Sequence, residues 1–198
     1  MMLLQRCVKL LCLLSLALTV RAAPPADVPY WSQLDNQYEP LATCSITSMA
    51  MITDFFNLTD PEQLNRRTPD YLYERFGKRG DVASLAAVFN TIAQEKGSPL
   101  RDKGYVNGTI TQLQQLAAAG KPTIIHGWFT ASGHILVVTG YDGQNYTVND
   151  PYGQWNGKKF GGYDTSVSGK GLKYSKRNFE RVITDNGRGT DLWLHVFE

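Results

Sequence analysis

The sequence predicts a single α+β domain, helical in its N-terminal half and closing on an antiparallel sheet in its C-terminal half. Three observations carry this expectation. From residue 44 to residue 119 apolar residues recur at helical spacing, most densely in the run from Thr43 to Phe56. There Ile46, Met49, Ala50, Thr53 and Phe56 mark one face, while Met51, Ile52 and Phe55 make most of the remaining surface apolar too. Such a segment reads as a central helix buried in the core. Beyond residue 122 the period changes to β-branched and aromatic runs joined by glycine-containing turns, and helices followed by strands point to segregated layers rather than to a parallel α/β sheet. A length of 198 residues with 42% hydrophobic side chains suits one core of useful size.

The chain opens with Arg6 and Lys9, a largely apolar run from Leu10 to Val20, and small residues at Ala22 and Ala23. This reads as a secretory signal peptide spanning residues 1–22, which leaves 23–198 as the mature domain. The run is short for a bilayer span, and a retained signal anchor is the alternative. Removing the leader takes away Arg6, Lys9 and Arg21 and no acid, leaving 17 basic against 18 acidic side chains. A near-neutral chain without a basic stripe argues against nucleic-acid partners and against stable membrane association after cleavage, and the signal peptide makes a secreted or periplasmic location the expectation. Cys7 and Cys12 leave with the leader, and the exported chain keeps one thiol, Cys44, and no internal disulfide.

In chain order, Val28 to Asn36 is a strand-like stretch that ends in turn formers, and it delivers Gln33 shortly before Cys44. Thr43 is a candidate N-cap for the central helix. Thr59-Asp60-Pro61-Glu62-Gln63 offers an N-cap with Pro in the first turn, Thr68-Pro69 repeats the device, and a short helix is expected after each. Asp81 to Lys96 is a better helix, with Val82, Leu85, Ala86, Phe89, Ile92 and Ala93 on one face and Gly97 as a stop, and Thr109 caps another that runs to Ala119. Residues 123–129, 134–141 and 145–149 read as three consecutive antiparallel strands. Residues 152–174 are Gly-rich and aromatic with no clear period, 175–183 suit a short helix, and 192–197 a last strand.

A thiol in the first turn of a helix faces unpaired N–H groups and the positive end of the dipole, and both favour the thiolate. A nucleophile so placed needs a base, a group that orients the base, and donors aimed at an oxyanion. His134, behind Gly133 where a turn can expose the ring, is the candidate base. Its rivals His126 and His195 lie inside apolar strands, where a satisfied core histidine is the commoner outcome. Asp150, in Asn149-Asp150-Pro151 at the end of the next strand, is the candidate orienter, with Asn149 or a mere turn-forming role as the alternatives. Gln33 can offer its amide to the oxyanion together with the N–H of Cys44. Trp155, Tyr163 and Tyr174 suit either a substrate groove or internal packing. One cysteine and three scattered histidines lack metal-ligand spacing, so no metal and no cofactor are expected.

Val28-Pro29-Tyr30-Trp31-Ser32-Gln33, Cys44 opening its helix, Gly120-Lys121-Pro122, Gly133-His134-Ile135 and Asn149-Asp150-Pro151-Tyr152 together resemble the papain-like cysteine peptidases related to the bacteriocin-processing, double-glycine peptidases. The resemblance spans about residues 28 to 153. It implies a papain-like fold with Cys44 as nucleophile, His134 as base, Asp150 as its orienter and Gln33 as oxyanion donor. Ser45 stands where the family often has Gly, and the interval from Gln33 to Cys44 is longer than in the transporter-linked peptidases. The expected function is that of an exported cysteine peptidase or amidase, monomeric, acting on peptide or amide bonds. Compartment and analogy make peptidoglycan stem peptides the first substrate expectation. A transglutaminase-like acyltransferase using the same thiol and a non-catalytic peptide-binding module stay open beside it.

Overall fold

The structure, a computed structural model, describes residues 22–184 and 188–198. The predicted leader, apart from Ala22, lies outside the described residues. The central helix α1, Cys44–Phe55, is buried continuously from Ser45 to Thr53. A helix with so many hydroxyls tolerates this burial because they bond locally: Thr47 Oγ1 donates to Thr43 O at 2.8 Å and Thr53 Oγ1 to Ala50 O at 3.1 Å. Ser48 Oγ instead reaches the neighbouring sheet and donates to Ile135 O at 3.2 Å.

Two short helices follow, α2 (Pro61–Leu64) and α3 (Thr68–Phe76), each with proline in its first turn. Within Thr59-Asp60-Pro61-Glu62-Gln63 the cap is Asp60, which accepts from Glu62 N, whereas Thr68 is the first residue of α3 rather than its cap. Both threonine hydroxyls instead donate to Asp54 Oδ1, at 2.6 and 2.9 Å, while Trp31 Nε1 donates to Asp54 Oδ2 at 2.7 Å. The last turn of α1 is thereby tied to three other segments. Helices α4 (Val82–Glu95) and α5 (Ile110–Ala118) match the sequence expectation, with Asp81 accepting from Ser84 N and Thr109 from Gln112 N.

The main sheet contains β1 (Asp102–Gly108), β2 (Thr123–Gly127), β3 (His134–Tyr141) and β4 (Asn145–Asn149). A two-stranded ribbon of β5 (Gln154–Trp155) and β6 (Tyr163–Asp164) follows, then β7 (Leu172–Ser175), a short helix α6 (Lys176–Glu180) and β8 (Leu192–Phe197). Strand order is β1-β8-β2-β3-β4-β7, with every neighbouring pair antiparallel. The expected meander is present as β2-β3-β4. Strand β8 inserts between β1 and β2, and β1, β5, β6 and β7 have no counterpart in the sequence reading. Both faces of the sheet are covered: α1, α3 and α4 share one core with Ile124, Ile135 and Val137, while Leu113 of α5 and Phe179 of α6 share the other with Ile125, Leu136 and Val138. Burial on two faces explains why β3 is continuously apolar instead of alternating.

Residues 28–36 do not form the expected strand. Prolines at 24, 25 and 29 remove ladder donors. The segment runs extended over the domain, bonding Ala26 N to Thr139 O at 2.8 Å and Gln33 N to Pro151 O at 2.9 Å, and ends in a 3-10 turn at Gln33–Asp35. Among the described residues no helix is long and apolar enough to cross a membrane.

Candidate active site

Cys44 is the first residue of α1, and Thr43 occupies the N-cap position without capping. Its hydroxyl accepts from Asn36 Nδ2 at 3.1 Å and donates to Glu39 O at 3.2 Å, so no side chain competes for the first N–H groups of the helix. The positive helix end is left for the thiol and for whatever the thiol attacks. The imidazole of His134 and the backbone N–H groups of Ile135 and Ser45 favour the ionised form of the thiol.

His134 begins β3 after Gly133, whose φ of +80° is the left-handed geometry that a tight turn requires. His134 Nε2 lies 2.8 Å from Asp150 Oδ1, which leaves Nδ1 as the nitrogen for Cys44. The ring is not exposed as the turn suggested. It is 6% accessible, packed by Tyr163, Tyr152 and Phe129 with centroids at 5.3, 6.1 and 6.1 Å. An aromatic collar fixes its orientation, and burial strengthens its electrostatic interactions.

Asp150 sits behind His134 and is fully buried. Its carboxyl group accepts four bonds: Oδ1 from His134 Nε2 and from Tyr152 N at 3.1 Å, Oδ2 from Tyr163 OH at 3.1 Å and from Tyr174 OH at 2.9 Å. Its backbone is held as tightly, with N donating to Gly169 O at 2.9 Å and O accepting from Tyr30 OH at 3.2 Å. Asn149, the alternative orienter, ties other segments together: Nδ2 donates to Val28 O at 3.0 Å and Oδ1 accepts from Gly171 N at 2.9 Å. The aromatic residues of the patternless stretch thus divide. Trp155 is buried in the core beside Phe129, whereas Tyr163 and Tyr174 hold Asp150 and are not among the residues lining the cleft. Only the density of tyrosine between residues 152 and 174 hinted at this role, because both partners lie far from Asp150 along any local period.

Burial opposes the charged form of His134, but the charge and hydrogen bond of Asp150, with the thiol side reinforcing them, outweigh it and hold the imidazole up at about 10. Burial likewise pushes the Cys44 thiol up, and the hydrogen bond and charge of His134 more than reverse this, so its pKa lies below the ordinary thiol value. Each partner stabilises the ionised form of the other.

Cys44 and His134 open onto a cleft of about 550 Å³ that Gln33, Leu41, Trp128 and Trp193 also line. Gln33 is buried, with Nε2 donating to Pro40 O at 2.8 Å. Its Oε1 is buried without a hydrogen-bond partner. His126 and His195 prove to be bonded core histidines of the kind expected for apolar strands, their Nε2 atoms 3.0 Å apart, although His126 also reaches the cleft wall. Among the described residues no group of three or more His, Cys, Asp or Glu is arranged to hold a metal ion.

Comparison with known proteins gives a family and a fold. The sequence model of the peptidase C39-like family matches residues 25–182. Among solved structures, the chain is similar to a double-glycine motif protease from an AMS/PCAT transporter, in complex with the leader peptide, at 20% identity and a TM-score of 0.52, covering 87% of this chain and 92% of that one. It is also similar to a C39-like peptidase from Bacillus anthracis, at 16% identity and a TM-score of 0.55, covering 86% of this chain and 94% of that one. These likenesses show the α+β, papain-like fold. No curated protein matches the sequence.

Proposed function

The chain belongs to the peptidase C39-like family, and from that membership we propose that it is an exported cysteine peptidase in which Cys44, His134, Asp150 and Gln33 cleave peptide bonds of peptidoglycan stem peptides. One observation carries the assignment of roles: His134, beside the helix-end thiol, bonds a fully buried carboxyl group through Nε2 and so keeps Nδ1 for Cys44.

The chemistry follows from that bridge. The Cys44 thiolate attacks the carbonyl carbon of the scissile amide, and the carbonyl electrons move onto oxygen. The resulting oxyanion is stabilised by the N–H of Cys44 at the uncapped helix end and by the side-chain amide of Gln33. His134, protonated and held by Asp150, gives its Nδ1 proton to the departing amine, and the C–N bond breaks to leave a thioester. Water enters, His134 takes one of its protons, and hydroxide addition to the thioester releases the acid and regenerates the thiolate–imidazolium pair. In this cycle Asp150 moves no proton. It holds the ring in place and stabilises its charge.

Peptide as substrate class is supported by the family and by the leader peptide bound to the transporter protease. The export reading and the peptidoglycan reading rest on the leader-like N-terminus and the unpaired thiol. Turnover of a panel of peptides and purified stem-peptide fragments by the wild type and by Cys44→Ala tests the proposal. Stem-peptide cleavage lost in Cys44→Ala is the expected result, whereas cleavage of ordinary peptides with stem peptides untouched would overturn the substrate.

A further inference from the structure

Beside the cleft runs a second chain of titratable groups that the mechanism above does not use. Three strands adjacent in the sheet, β1, β8 and β2, contribute Asp102, His195 and His126 to one face. Asp102 Oδ2 lies 2.7 Å from His195 Nδ1, and His195 Nε2 lies 3.0 Å from His126 Nε2. The side chains of Asp102 and His195 are fully buried, and Asn90 clamps the Asp102 backbone by bonds to its N and O at 2.8 and 3.1 Å. His126 is the end of this chain that reaches the cleft. Across the β2–β3 pair it stands opposite Ile135, which lines the same cleft as Cys44, and its ring is flanked by Trp193 at 5.5 Å.

Proton accounting along this chain has one outcome on the cleft side. If the trio carried a full negative charge, His195 Nε2 would be a bare acceptor and His126 Nε2 would donate to it. Burying that net charge is expensive. A neutralising proton on Asp102 Oδ1 would find no acceptor, and one on His126 would charge a buried ring, so it sits in the Oδ2–Nδ1 hydrogen bond. Whether Asp102 is protonated beside a neutral His195 or ionised beside a charged one, His195 Nε2 then carries a proton. His126 Nε2 then accepts, and the only proton of a neutral His126 sits on Nδ1. Supporting the neutral arrangements, Asp102 Oδ1 is buried without a hydrogen-bond partner, and burial raises the Asp102 pKa despite the neighbouring ring. Burial first, with the neighbouring His195 in the same direction and Asp81 opposing, pushes His126 down to about 3, so its ring stays uncharged at neutral pH.

We propose that His126 is a substrate-anchoring residue: its neutral ring presents an Nδ1–H donor to the cleft beside Cys44, where it binds a main-chain carbonyl oxygen of the peptide, and the buried His195–Asp102 pair sets that tautomer. The inference deepens the peptidase reading by placing one subsite contact, but its structural half stands without any activity.

Two measurements test it. Long-range 1H–15N spectra of the wild-type protein at neutral pH report the His126 tautomer directly, and the Nδ1–H form is expected, whereas the Nε2–H form would overturn the proposal. This readout needs no substrate, so it decides the donor even if every peptide in the panel resists cleavage. The second measurement is kinetic. His126→Gln keeps an amide where Nε2 bonds His195 and removes the Nδ1 donor, so KM for a cleaved panel peptide is expected to rise about tenfold with kcat within about twofold, the size of one lost neutral hydrogen bond to substrate. An unchanged KM, or a loss confined to kcat, would show that His126 does not anchor the peptide.

Discussion

Gly169 approaches the main chain of Asp150 so closely that a Cβ at residue 169 would lie 1.8 Å from Asp150 O. The same glycine accepts from Asp150 N at 2.9 Å and donates to Tyr30 OH, which in turn donates to Asp150 O. No side chain fits there without moving the residue that holds His134. Gly169→Ala is therefore expected to lower kcat by about a hundredfold, the scale of an ångström-sized displacement of a positioning group. Circular dichroism of the variant should stay near wild type, and undiminished turnover would show that Asp150 need not hold its place.

Asp150→Asn separates charge from shape. The amide fills the same space but can turn an N–H toward His134 Nε2 and carries no charge to stabilise imidazolium. Turnover is expected to fall by about a thousandfold or more. The melting temperature should drop only modestly, and turnover close to wild type would return Asp150 to a turn-forming role.

The paired shifts of Cys44 and His134 define a pH window. The Cys44 pKa lies below the ordinary thiol value and the imidazole keeps its proton up to about 10, so the ion pair forms at lower pH than an ordinary thiolate does and is lost as pH rises through about 10. Iodoacetamide is expected to alkylate Cys44 rapidly at pH about 6, where an ordinary thiol of pKa about 8.5 is almost inert. For stability the sign is the same: a raised His134 pKa contributes fully below about 6.5 and ceases to contribute as pH climbs through the folded value. Alkylation that follows a normal thiol titration would exclude the pair.

The two tyrosines on Asp150 Oδ2 differ in what else they hold. Tyr163 OH donates only to Asp150, whereas Tyr174 OH also accepts from the buried Trp155 N at 3.0 Å. Tyr174→Phe therefore orphans a buried N–H as well as losing a donor, and it is expected to destabilise the fold by about 1–3 kcal/mol more than Tyr163→Phe in urea titration. Equal losses would mean that the Trp155 bond is replaced on mutation.

Gln33→Ala removes one oxyanion donor. A kcat loss of about 10²- to 10³-fold, with a smaller change in KM, is expected from steady-state kinetics. A loss confined to KM would mean that Gln33 binds substrate without stabilising the transition state.

Several features were legible in the residues because their signals are local. The helices α1, α4 and α5 follow from apolar recurrence, with Gly97 as the stop of α4 and Thr109 as the cap of α5. The strands β2, β3 and β4 follow from a change of period at residue 122. Cys44, His134 and Asp150 stood out because each occupies the end of a predicted element, where a side chain can leave the core and meet another. Other features depended on the assembled fold. The insertion of β8 between β1 and β2, the burial of His134, the choice of Asp150 over Asn149 as its partner, the tyrosine pair on Asp150, and the chain from Asp102 through His195 to His126 all join residues brought together by register and packing. No periodicity encodes such pairings, because a hydrogen bond across strands depends on which residues the ladder sets opposite one another. That alignment is fixed only when the sheet closes with both of its faces buried.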